Sequence, residues 1–414
     1  MFSYLINKMK YYALVLILGC ISKKNKIKNF FIPVSIKQYL PFKKHSAAAI
    51  VAIYEKQKLR EDIKNLIQSL KKNNIYVIVI NTQKLNHSEV DIFIKQHVDV
   101  YIERFNYGQC FGSYQIGIQL LQKKGTYNKI EKLFIMNDSV FYIPHLIEKI
   151  IKQVLVSQKN LIALTQNFEY QLHYSSYFLC FGETLLKNSK FLKFWKCYQN
   201  SGLRNKVIRN GELKLSKTIL QVTHPDDIFC FFDYRILTNF ISKSKSQFDA
   251  IFFVDHLIRD CGNVRWKKTN LTDYFAEFTT KFNIDSLYSS NKLTDRSDSI
   301  PEAKFIMDEK FLKNYFNKEG LSKFIAYVKD QMVDQFNEAS QVHNNNLFLV
   351  SQGFPLVKLD LIYRGVYNYS DLVKFKLFLK LSDYKLLEKL LMSRAYGGQN
   401  LFGWQRYAFN NGII

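Results

Sequence analysis

Short, fully apolar runs alternate with stretches of helical periodicity through the first half of the chain. The runs AAAIVAIY at 47–54, IYVIVI at 75–80 and LFIM at 133–136 contain almost no polar position, which is typical of strands buried on both faces of a sheet. Between the first two runs, the apolar residues of 55–72 recur at helical spacing. The pattern predicts a βαβ unit with a right-handed crossover, and therefore an α/β fold.

The remaining elements are more weakly patterned. They are a short helix at 91–96, strands at 98–102 and 161–165, an aromatic helix at 191–198, and helical periodicity at 305–336 and 371–392. A stretch rich in Ser, Asn and Asp at 283–300 indicates a loop or linker. We therefore predict three parts: an arm at 1–45, an α/β domain at 46–260 and a mainly helical C-terminal region at 261–414.

The first 45 residues combine an apolar run with many lysines. Lys8 and Lys10 precede the run 11–18, which ends in Gly19 and Cys20, as in a secretory or lipoprotein signal. Four lysines follow at once, and positive charge on both flanks disfavours translocation. Because the run is also too short to span a bilayer, we expect a basic, partly apolar arm. It would contact the inner face of the cytoplasmic membrane from a cytoplasmic location.

Charge narrows the range of partners. The chain has 59 Lys and Arg against 35 Asp and Glu, a formal net charge of +24, which favours an anionic partner. The lysines are spread along the whole chain and no nucleic-acid-binding motif accompanies them, so we predict no nucleic-acid partner. The six cysteines form no CxxC pair, which argues against a zinc knuckle and favours a reducing compartment.

The principal candidate site lies where the apolar run 133–136 meets Asn137, Asp138 and Ser139. Open α/β sheets bind ligands at the carboxyl ends of their strands, so polar groups at this position can hold a divalent cation or a sugar hydroxyl. The alternative is that Asp138 only caps the next helix.

A second candidate is the loop after the third predicted strand. Arg104 supplies a fixed cation for a phosphate or a planar base, and Gly108 and Gly112 allow close backbone approach. A helix that begins at Gly112 or Ser113 would direct its first N–H groups at the strand ends, where they favour an anion. Asn106, in the same loop, is a further candidate contact.

Three other titratable side chains are candidates. Glu212 lies in the first turn of a predicted helix, where the helix dipole alone would favour a carboxylate. His173 lies near a strand end, and imidazole is a common general base. His224 begins a loop with Asp226 and Asp227, which can supply an imidazole and carboxylates to a cation.

Taken together, several segments resemble one protein family. They are, in chain order, Arg104, Asn106 and Gly108 with FGSY at 111–114, MNDSVF at 136–141, HYSSYFLCF at 173–181, FLKFW at 191–195 and Glu212 in GELKLS. These segments are similar, in order and spacing, to the rhamnan synthesis protein F family over roughly residues 47–225. The GFPLVKLDL stretch at 353–361 resembles a C-terminal motif shared by many members.

The resemblance implies an inverting, nucleotide-sugar-dependent bacterial glycosyltransferase. Its fold would be a GT-A-like (Rossmann-type) nucleotide-sugar domain with a mainly helical C-terminal extension. The implied activity is assembly of a rhamnose-containing or related polysaccharide of the cell envelope, such as capsule or lipopolysaccharide. The implied donor is dTDP-rhamnose as a first choice, and the acceptor is a growing polysaccharide or a lipid-linked glycan.

Roles for individual residues follow from this interpretation. Donor-binding positions are Arg104, Asn106, Gly108, Gly112, Ser113, Asn137, Asp138 and Ser139. Asp138 would also anchor a Mg²⁺ or Mn²⁺ ion, with His224 as the second predicted metal ligand. Glu212, by its position in the family pattern, is the candidate catalytic base, and His173 is the rival base.

Two positions depart from the family pattern. Members usually have Asp where this chain has Cys110, and often Gln where it has Ser175. The loss of an acidic residue bears on donor identity and on activity itself. The alternative from another class is a non-catalytic basic protein on a glycosyltransferase-like fold, which binds a membrane surface or nucleic acid in a strongly salt-dependent manner.

Overall fold

The structure of the protein is a computed structural model. It describes residues 2–43, 45–258, 269–282, 285–289, 309–338, 340–363, 366–393 and 403–404. Cys261 and most of the loop predicted at 283–300 lie outside the described residues.

The described part of the chain contains eleven strands. They are β1 Ser35–Tyr39, β2 Ala47–Ile53, β3 Tyr76–Asn81, β4 Val100–Glu103, β5 Lys132–Asn137, β6 Val140–Tyr142, β7 Leu161–Asn167, β8 His173–Tyr174, β9 Phe178–Gly182, β10 Ile228–Phe232 and β11 Leu356–Lys358. The central sheet has the order β1-β4-β3-β2-β5-β9-β7-β10, with β8 beside β7, and β6 pairs with β11. Strands β4, β3, β2 and β5 run parallel, whereas β1 and β9 run antiparallel to their neighbours.

Helices connect these strands and form most of the C-terminal part. They are α1 Phe2–Phe31, α2 Glu61–Lys72, α3 His87–Glu89, α4 Lys95–His97, α5 Gln109–Lys123, α6 Pro144–Val156, α7 Glu183–Lys187, α8 Ser189–Cys197, α9 Arg204–Val207, α10 Lys214–Leu220, α11 Ile236–Lys243, α12 Gln247–Leu257, α13 Leu271–Lys281, α14 Glu309–Tyr315, α15 Lys318–Glu338, α16 Gln341–Asn344, α17 Asn346–Ser351, α18 Leu359–Tyr363, α19 Tyr369–Lys376 and α20 Leu381–Ser393. Two π-helical segments are Val90–Ile94 and Ile208–Leu213. The predicted α/β fold and the helical C-terminal region are confirmed.

The parallel strands reverse their order at β2. From β2 the chain moves outward through β3 and β4, and then returns to pair β5 with the other side of β2. In an open α/β sheet such a reversal leaves a crevice at the carboxyl ends of the two central strands. All seven positions of β2 are buried, which explains its continuous apolar sequence.

Helix α5 packs closely on β2 because of a glycine. A Cβ at Gly117 would lie only 2.8 Å from Cδ1 of Ile50, so a larger residue would push the helix away from the strand. The other side of α5 packs on α8, where Phe111 stacks on Trp195 with ring centroids 6.0 Å apart. Trp195 is buried in this core, so the predicted aromatic helix has a packing role.

Helix α2 begins later than the sequence pattern predicts. The helix predicted from residue 55 starts at Glu61, and residues 54–60 form a loop instead. Within this loop Gln57 has a positive φ of 64° and its backbone bonds to Lys84 and Asn86, which is incompatible with a helix. As a result Glu55 and Arg60 lie at the end of β2 rather than on a helix surface.

The N-terminal arm contains regular structure that the sequence analysis did not predict. Helix α1 spans thirty residues, and β1 adds an antiparallel strand beside β4. Ser22 on α1 accepts a hydrogen bond from the Gly202 amide at 3.2 Å. Among the described residues, we find no helix with the combined length and apolarity that crossing a membrane requires.

The chain forms two compact units. One comprises residues 1–231 together with 350–414, and the other comprises residues 232–349. These divisions differ from the predicted boundaries at 45 and 260, because the chain returns to the first unit after residue 349. The return is made by β11, which pairs antiparallel with β6 through Leu356, Val357 and Lys358.

The second unit is helical in its described residues, and its core is rich in aromatic rings. Phe275 and Phe278 of α13 pack against Phe316 and against Phe324 of α15, with ring centroids between 5.4 and 5.8 Å apart. All four rings are buried. The abundant phenylalanines of this region therefore serve the core.

Candidate functional site

Two strand ends define a crevice at the carboxyl edge of the sheet. Tyr54 and Glu55 follow β2, and residues 137–139 end and follow β5, its parallel neighbour. Because the chain continues from β2 to β3 and from β5 to β7, which lie on opposite sides of this strand pair in the sheet order, a ligand can bind between the two strand ends. The predicted Asn-Asp-Ser segment therefore lies at the position where open α/β sheets bind their ligands.

Asn137 has a structural role within this segment. It is buried, and its side-chain amide donates to the Tyr114 hydroxyl at 3.0 Å and to the Ser176 carbonyl at 3.3 Å. Its Oδ1 accepts a hydrogen bond from the Ser139 amide at 3.1 Å. Asn137 thereby fixes the turn that leaves Ser139 exposed in the crevice.

Asp138 joins the ends of β2 and β5. Its N–H donates to the Ala52 carbonyl at 3.1 Å, and its Oδ2 accepts the N–H of Tyr54 at 2.5 Å. Burial raises the pKa of the Asp138 carboxyl above its ordinary range, although the charge of Arg60 opposes this shift. The side chain is only partly buried, so it is accessible from the crevice as well as bonded to the sheet.

A buried ionic cluster lies beside Asp138. Arg60 holds Asp62 through Nε at 2.9 Å and Nη2 at 3.0 Å, in a two-pronged ion pair. Its Nη1 donates to the Asp138 carbonyl at 3.1 Å and lies 3.3 Å from the Glu55 carboxylate. Because Asp62 takes the paired N–H groups, Glu55 is the less well compensated carboxyl of the cluster.

Burial raises the pKa of Glu55 to about 8; Arg60 opposes the shift, and Asp138 and Asp62 add to it. At neutral pH this carboxyl is therefore mostly protonated. Glu55 and Arg60 were not predicted as site residues, because both fell inside the predicted helix. The signal that could have revealed Glu55 is its position two residues after the buried strand β2.

The loop before α5 is built around the predicted donor-binding residue Arg104. Its buried guanidinium donates to the carbonyls of Phe105 at 2.9 Å, of Tyr107 at 2.8 Å and of Gln109, and to Ser113 Oγ at 3.0 Å. Arg104 and Ser113 thus shape the loop from inside the protein. Their direct contact with a donor stays a prediction, as does that of Asn106, whose side chain is exposed.

The glycines of this loop allow close packing within the protein. Gly108 has a φ of +89°, and a Cβ there would lie 2.1 Å from Oδ1 of Asn200. At Gly112 a Cβ would lie 2.8 Å from the Tyr107 carbonyl oxygen. Helix α5 begins at Gln109, earlier than the predicted start at Gly112 or Ser113, because Gly108 supplies the left-handed turn before it.

Cys110 lies in the first turn of α5, within electrostatic reach of Glu212, Asp138 and Lys358. Burial raises the pKa of its thiol to about 12, so the side chain is neutral at physiological pH. The position that departs from the family pattern therefore borders the candidate site, and it contributes no negative charge there.

The two candidate bases lie next to each other. The His173 Nε2 lies 4.0 Å from Glu212 Oε1, and the His173 Nδ1 contacts the Gln171 carbonyl at 2.8 Å. The Glu212 carboxylate also accepts from the Ser176 amide and the Ser176 hydroxyl, each at 3.2 Å. Residues 175–177, between β8 and β9, form the Ser176 loop, and Glu212 and Asn137 both contact it.

Glu212 does not lie in a first helical turn, contrary to the sequence prediction. It lies in the π-helical segment Ile208–Leu213, which continues from α9 into α10. A stabilising interaction with a helix N-terminus is therefore not the reason for a glutamate here. Single π-helical turns within α-helices are frequent at functional sites.

Lys358 also borders the crevice, beside Ser139, although no role was predicted for it from the sequence. Its Nζ donates to Ser139 Oγ at 3.2 Å and lies 5.5 Å from the centre of the Tyr177 ring. Burial lowers the pKa of this ammonium below its ordinary range, and Arg204 adds to the shift, whereas Asp360, Glu212 and Cys110 oppose it. The available signal was the GFPLVKLDL motif, whose place in the fold depends on pairing across 219 residues of sequence.

His224, the second predicted metal ligand, lies at the opposite edge of the sheet. It precedes Asp227, whose carbonyl accepts from the Asn160 amide just before β7, at the amino end of that strand. Asp138 lies at the carboxyl edge of the same sheet. The structure therefore does not bring His224 and Asp138 to a common metal ion.

A metal site built from protein ligands alone is not present in the described part of the chain, where no three His, Cys, Asp or Glu side chains converge. Mg²⁺ in nucleotide-binding enzymes commonly takes one or two carboxylates, and substrate phosphates complete its coordination. The partly accessible Asp138 carboxylate, with the exposed Ser139 beside it, fits that kind of site.

Comparisons with known proteins match a segment that contains part of this site, including Asp138, His173 and Glu212. The sequence model of the family described as rhamnan synthesis protein F matches residues 77–261. The uncharacterized protein y4gN of Sinorhizobium fredii (strain NBRC 101917 / NGR234) is 31% identical over 174 residues, which are 41% of this chain and 44% of y4gN. The virulence protein VirA of Vibrio anguillarum is 26% identical over 243 residues, which are 55% of this chain and 75% of VirA.

A solved structure of the glycosyltransferase GlyE from Streptococcus pneumoniae TIGR4 is also similar in part. It is 11% identical, the match covers 71% of this chain and 63% of GlyE, and the TM-score is 0.27. The chain spans less than half the length of y4gN and slightly less than two thirds of GlyE. The resemblance predicted from the sequence motifs is confirmed at the level of the family: over residues 77–261 this chain is similar to the rhamnan synthesis protein F family.

Proposed function

We propose that this chain is a nucleotide-sugar-dependent glycosyltransferase with a GT-A-like domain. It transfers rhamnose or a related sugar, with dTDP-rhamnose as the first candidate donor, to a growing cell-surface polysaccharide or a lipid-linked glycan. The family similarity over residues 77–261 supports the proposal, because the family is described by a role in rhamnan synthesis.

One observation carries the proposal. Residues that are distant in the matched segment meet around one sheet edge: Asp138 follows β5, Ser176 precedes β9, and Glu212 contacts Ser176 at 3.2 Å from the π-helical segment. The group combines the Asp138 carboxylate at the strand ends with the Glu212 carboxylate, which contacts the Ser176 loop. Such an arrangement suits a reaction with one bound diphosphate and one hydroxyl to be deprotonated.

In the proposed reaction Glu212 acts as the base. The acceptor hydroxyl oxygen bonds to the anomeric carbon as its proton passes to Glu212, and the bond from that carbon to the diphosphate oxygen breaks with its electron pair. Displacement from the opposite face inverts the anomeric centre. A positioned base of this kind contributes roughly 10²–10⁴-fold to the rate. His173, 4.0 Å from Glu212, is placed to stabilise the carboxylate or to serve as the alternative base.

A divalent cation fits the donor side of the proposed site. Asp138 would hold Mg²⁺ or Mn²⁺ from the protein, with the donor diphosphate supplying the other charged ligands. When bound, the ion would neutralise negative charge on the departing diphosphate. Ser139 and Lys358 border the same position.

The proposal predicts that one nucleotide sugar stabilises the native chain against heat and that Asp138→Ala loses this response. A ligand at 100 times its dissociation constant adds about 2.7 kcal/mol to the unfolding free energy, which is readily measured. The measurement is the unfolding midpoint with a panel of nucleotide sugars, with and without Mn²⁺. Asp226→Ala, an exposed carboxylate at the opposite edge of the sheet, is the matched control and should respond as the native chain does.

Glu212→Gln separates binding from chemistry in the same panel. It should keep the thermal response to the donor, while the rate of sugar transfer or donor hydrolysis falls by roughly 10²–10⁴-fold. If no nucleotide sugar shifts the midpoint of the native chain under any metal condition, the transferase proposal is wrong.

We also propose that α1 contacts an anionic membrane surface at the inner face of the cytoplasmic membrane. Large apolar side chains are exposed along the helix, among them Leu16 at 70%, Phe30 at 84% and Phe31 at 74%. Lysines at 8, 10, 23, 24, 26 and 28 lie on the same helix. Apolar side chains flanked by positive charge favour the surface of an anionic bilayer.

This second proposal predicts that the protein sediments with vesicles that contain phosphatidylserine and much less with neutral phosphatidylcholine vesicles. Leu16→Glu with Phe30→Glu should abolish sedimentation, because both changes place negative charge at the lipid surface. Val156→Glu, an equally exposed apolar position on α6, should have no effect. If the protein binds vesicles but no nucleotide sugar, the non-catalytic surface-binding function is favoured instead.

A further inference from the structure

We infer that Lys358, supplied by the C-terminal segment, binds the diphosphate of the ligand in the crevice. This inference rests on the proposed function and extends it, since it adds a cation that the matched segment 77–261 does not contain. The expected ligand is a diphosphate ester or free pyrophosphate, because its oxygens accept charge-assisted hydrogen bonds from an ammonium group.

The position of Lys358 is fixed by the backbone. Strand β11 pairs antiparallel with β6, so that Lys358 is opposite Val140. Hydrogen bonds extend the pairing in both directions, from the Ile143 amide to the Pro355 carbonyl at 2.8 Å and from the Leu359 amide to the Ser139 carbonyl at 3.2 Å. The ammonium is therefore held beside the residue that directly follows Asp138.

Apolar packing secures this segment. Phe354, Leu356 and Val357 are each no more than 1% exposed. A strand with this burial does not shift to accommodate a ligand, so the backbone of Lys358 is already in place before binding. Little conformational entropy is therefore lost when a ligand binds. Only the flexible side chain of Lys358 itself remains partly accessible.

The surroundings leave the ammonium available for an anion. Its direct hydrogen bond is to a neutral hydroxyl, Ser139 Oγ, and Cys110 nearby is a neutral thiol. Glu212 and Asp360 are within electrostatic reach and favour the charged form of Lys358, whereas burial and Arg204 disfavour it. A partly desolvated cation that is bonded only to a neutral group gains more binding free energy from a diphosphate than a cation that is already in an ion pair.

The positions of these residues also predict how a ligand would be oriented in the crevice. Ser139 directly follows Asp138 and is bonded to Lys358, whereas Glu212 lies in the π-helical segment and contacts Ser176. A diphosphate between Lys358 and the strand ends would direct its sugar toward Glu212. The same cation would then neutralise the charge that stays on the diphosphate when its bond to the sugar breaks.

Titration calorimetry with inorganic pyrophosphate, UDP and dTDP tests the inference on the full chain. Lys358→Met keeps the apolar stem and removes the charge, and it should weaken pyrophosphate and nucleoside diphosphate binding by roughly 10- to 100-fold, the worth of one hydrogen bond to a charged group. Lys358→Arg keeps the charge and should bind within a few-fold of the native chain. Lys385→Met, an exposed lysine on α20, is the matched control and should bind normally.

The outcomes separate this inference from the function on which it rests. If the native chain binds a nucleoside diphosphate and Lys358→Met binds it equally well, the inference is wrong and the proposed function stands. If the native chain binds none of the three anions, both are wrong. Should Lys358→Met fail to fold, Lys358→Gln answers the same question with a polar uncharged side chain.

Discussion

At the scale of single residues, the Asn-Asp-Ser segment illustrates how neighbours in sequence acquire different roles. Asn137 is buried and bonds to Tyr114 and Ser176, Asp138 joins two strands and reaches the crevice, and Ser139 is exposed beside Lys358. Asn137 ends strand β5 and the next two residues form a turn, so the three side chains meet different surroundings. The sequence predicted the position of the three residues, but not that the first of them serves the fold.

Glu55 provides a prediction about stability and pH. Its pKa rises from 4.5 to about 8 on folding, so the folded chain holds a proton that the unfolded chain releases between these values. The associated stability, on the order of a few kcal/mol, is fully present below pH ~4.5 and is lost as the pH rises toward 8. Urea unfolding at pH 5 and pH 8 should show a smaller decrease for Glu55→Gln than for the native chain.

The control for this prediction is Glu183→Gln, an exposed carboxyl on α7 that leaves the pH dependence unchanged. A Glu55→Gln curve parallel to that of the native chain from pH 5 to 8 would contradict the assigned protonation state. The comparison between variants isolates Glu55 from the other titrating groups, which are common to both chains.

At the scale of elements, the start of α5 shows how one glycine positions a loop. Gly108 adopts φ +89° and leaves space that Asn200 fills, while Arg104 bonds to the carbonyls around it. Gln109, the next residue, has a φ of 50°, which is unusual for a residue with a side chain. Backbone strain of this kind persists where the surroundings hold it, and here Arg104 does so.

Gly108→Ala should destabilise the protein for two separable reasons. The left-handed backbone costs roughly 1–2 kcal/mol for a residue with a Cβ, and the clash with Asn200 adds to it. The Asn200→Ala background removes the clash, so Gly108→Ala should cost less there. A double-mutant cycle from chemical unfolding measures the difference, and strictly additive effects would show that Asn200 does not fill the space over Gly108.

The elements also show where periodicity is informative. Long apolar runs predicted β2, β3 and β5 to within a residue or two, because both faces of these strands are buried. Helix boundaries were less predictable: residues 54–60 form a loop that bonds to Lys84 and Asn86, and Glu212 lies in a π-helical segment. These departures depend on contacts with distant segments, which a local pattern does not contain.

At the scale of the whole molecule, the return of the chain after residue 349 is the main feature. Residues 350–414 belong to the same compact unit as residues 1–231, and β11 joins β6. Further along, Asp383 of α20 is buried and accepts a hydrogen bond from His145 at the start of α6. Residues 350–414 are thus part of the unit that carries the candidate site.

Phe354→Ala tests whether the segment that contains β11 stabilises β6. Phe354 is fully buried just before β11, so the cavity should cost about 3–5 kcal/mol. Hydrogen exchange should then show faster exchange at the amides of β6 and β11, and chemical unfolding should begin at lower denaturant. Phe229→Ala, a substitution of a partly exposed ring at 41%, should have a much smaller effect. Unchanged exchange at β6 in Phe354→Ala would show that β11 does not stabilise that edge.

The sequence by itself determined the α/β class, the buried strands, the position of Asp138 at a strand end and the family similarity. Each depends on local composition, spacing or a short motif, and these are fully present in the chain. Only the tertiary structure decided that Glu55 and Arg60 border the crevice, that His224 lies at the opposite edge, and that Lys358 enters from the C-terminal segment. The physical reason is that charge and hydrogen-bonding partners are set by distance in space, and pairing across 219 residues leaves no local trace.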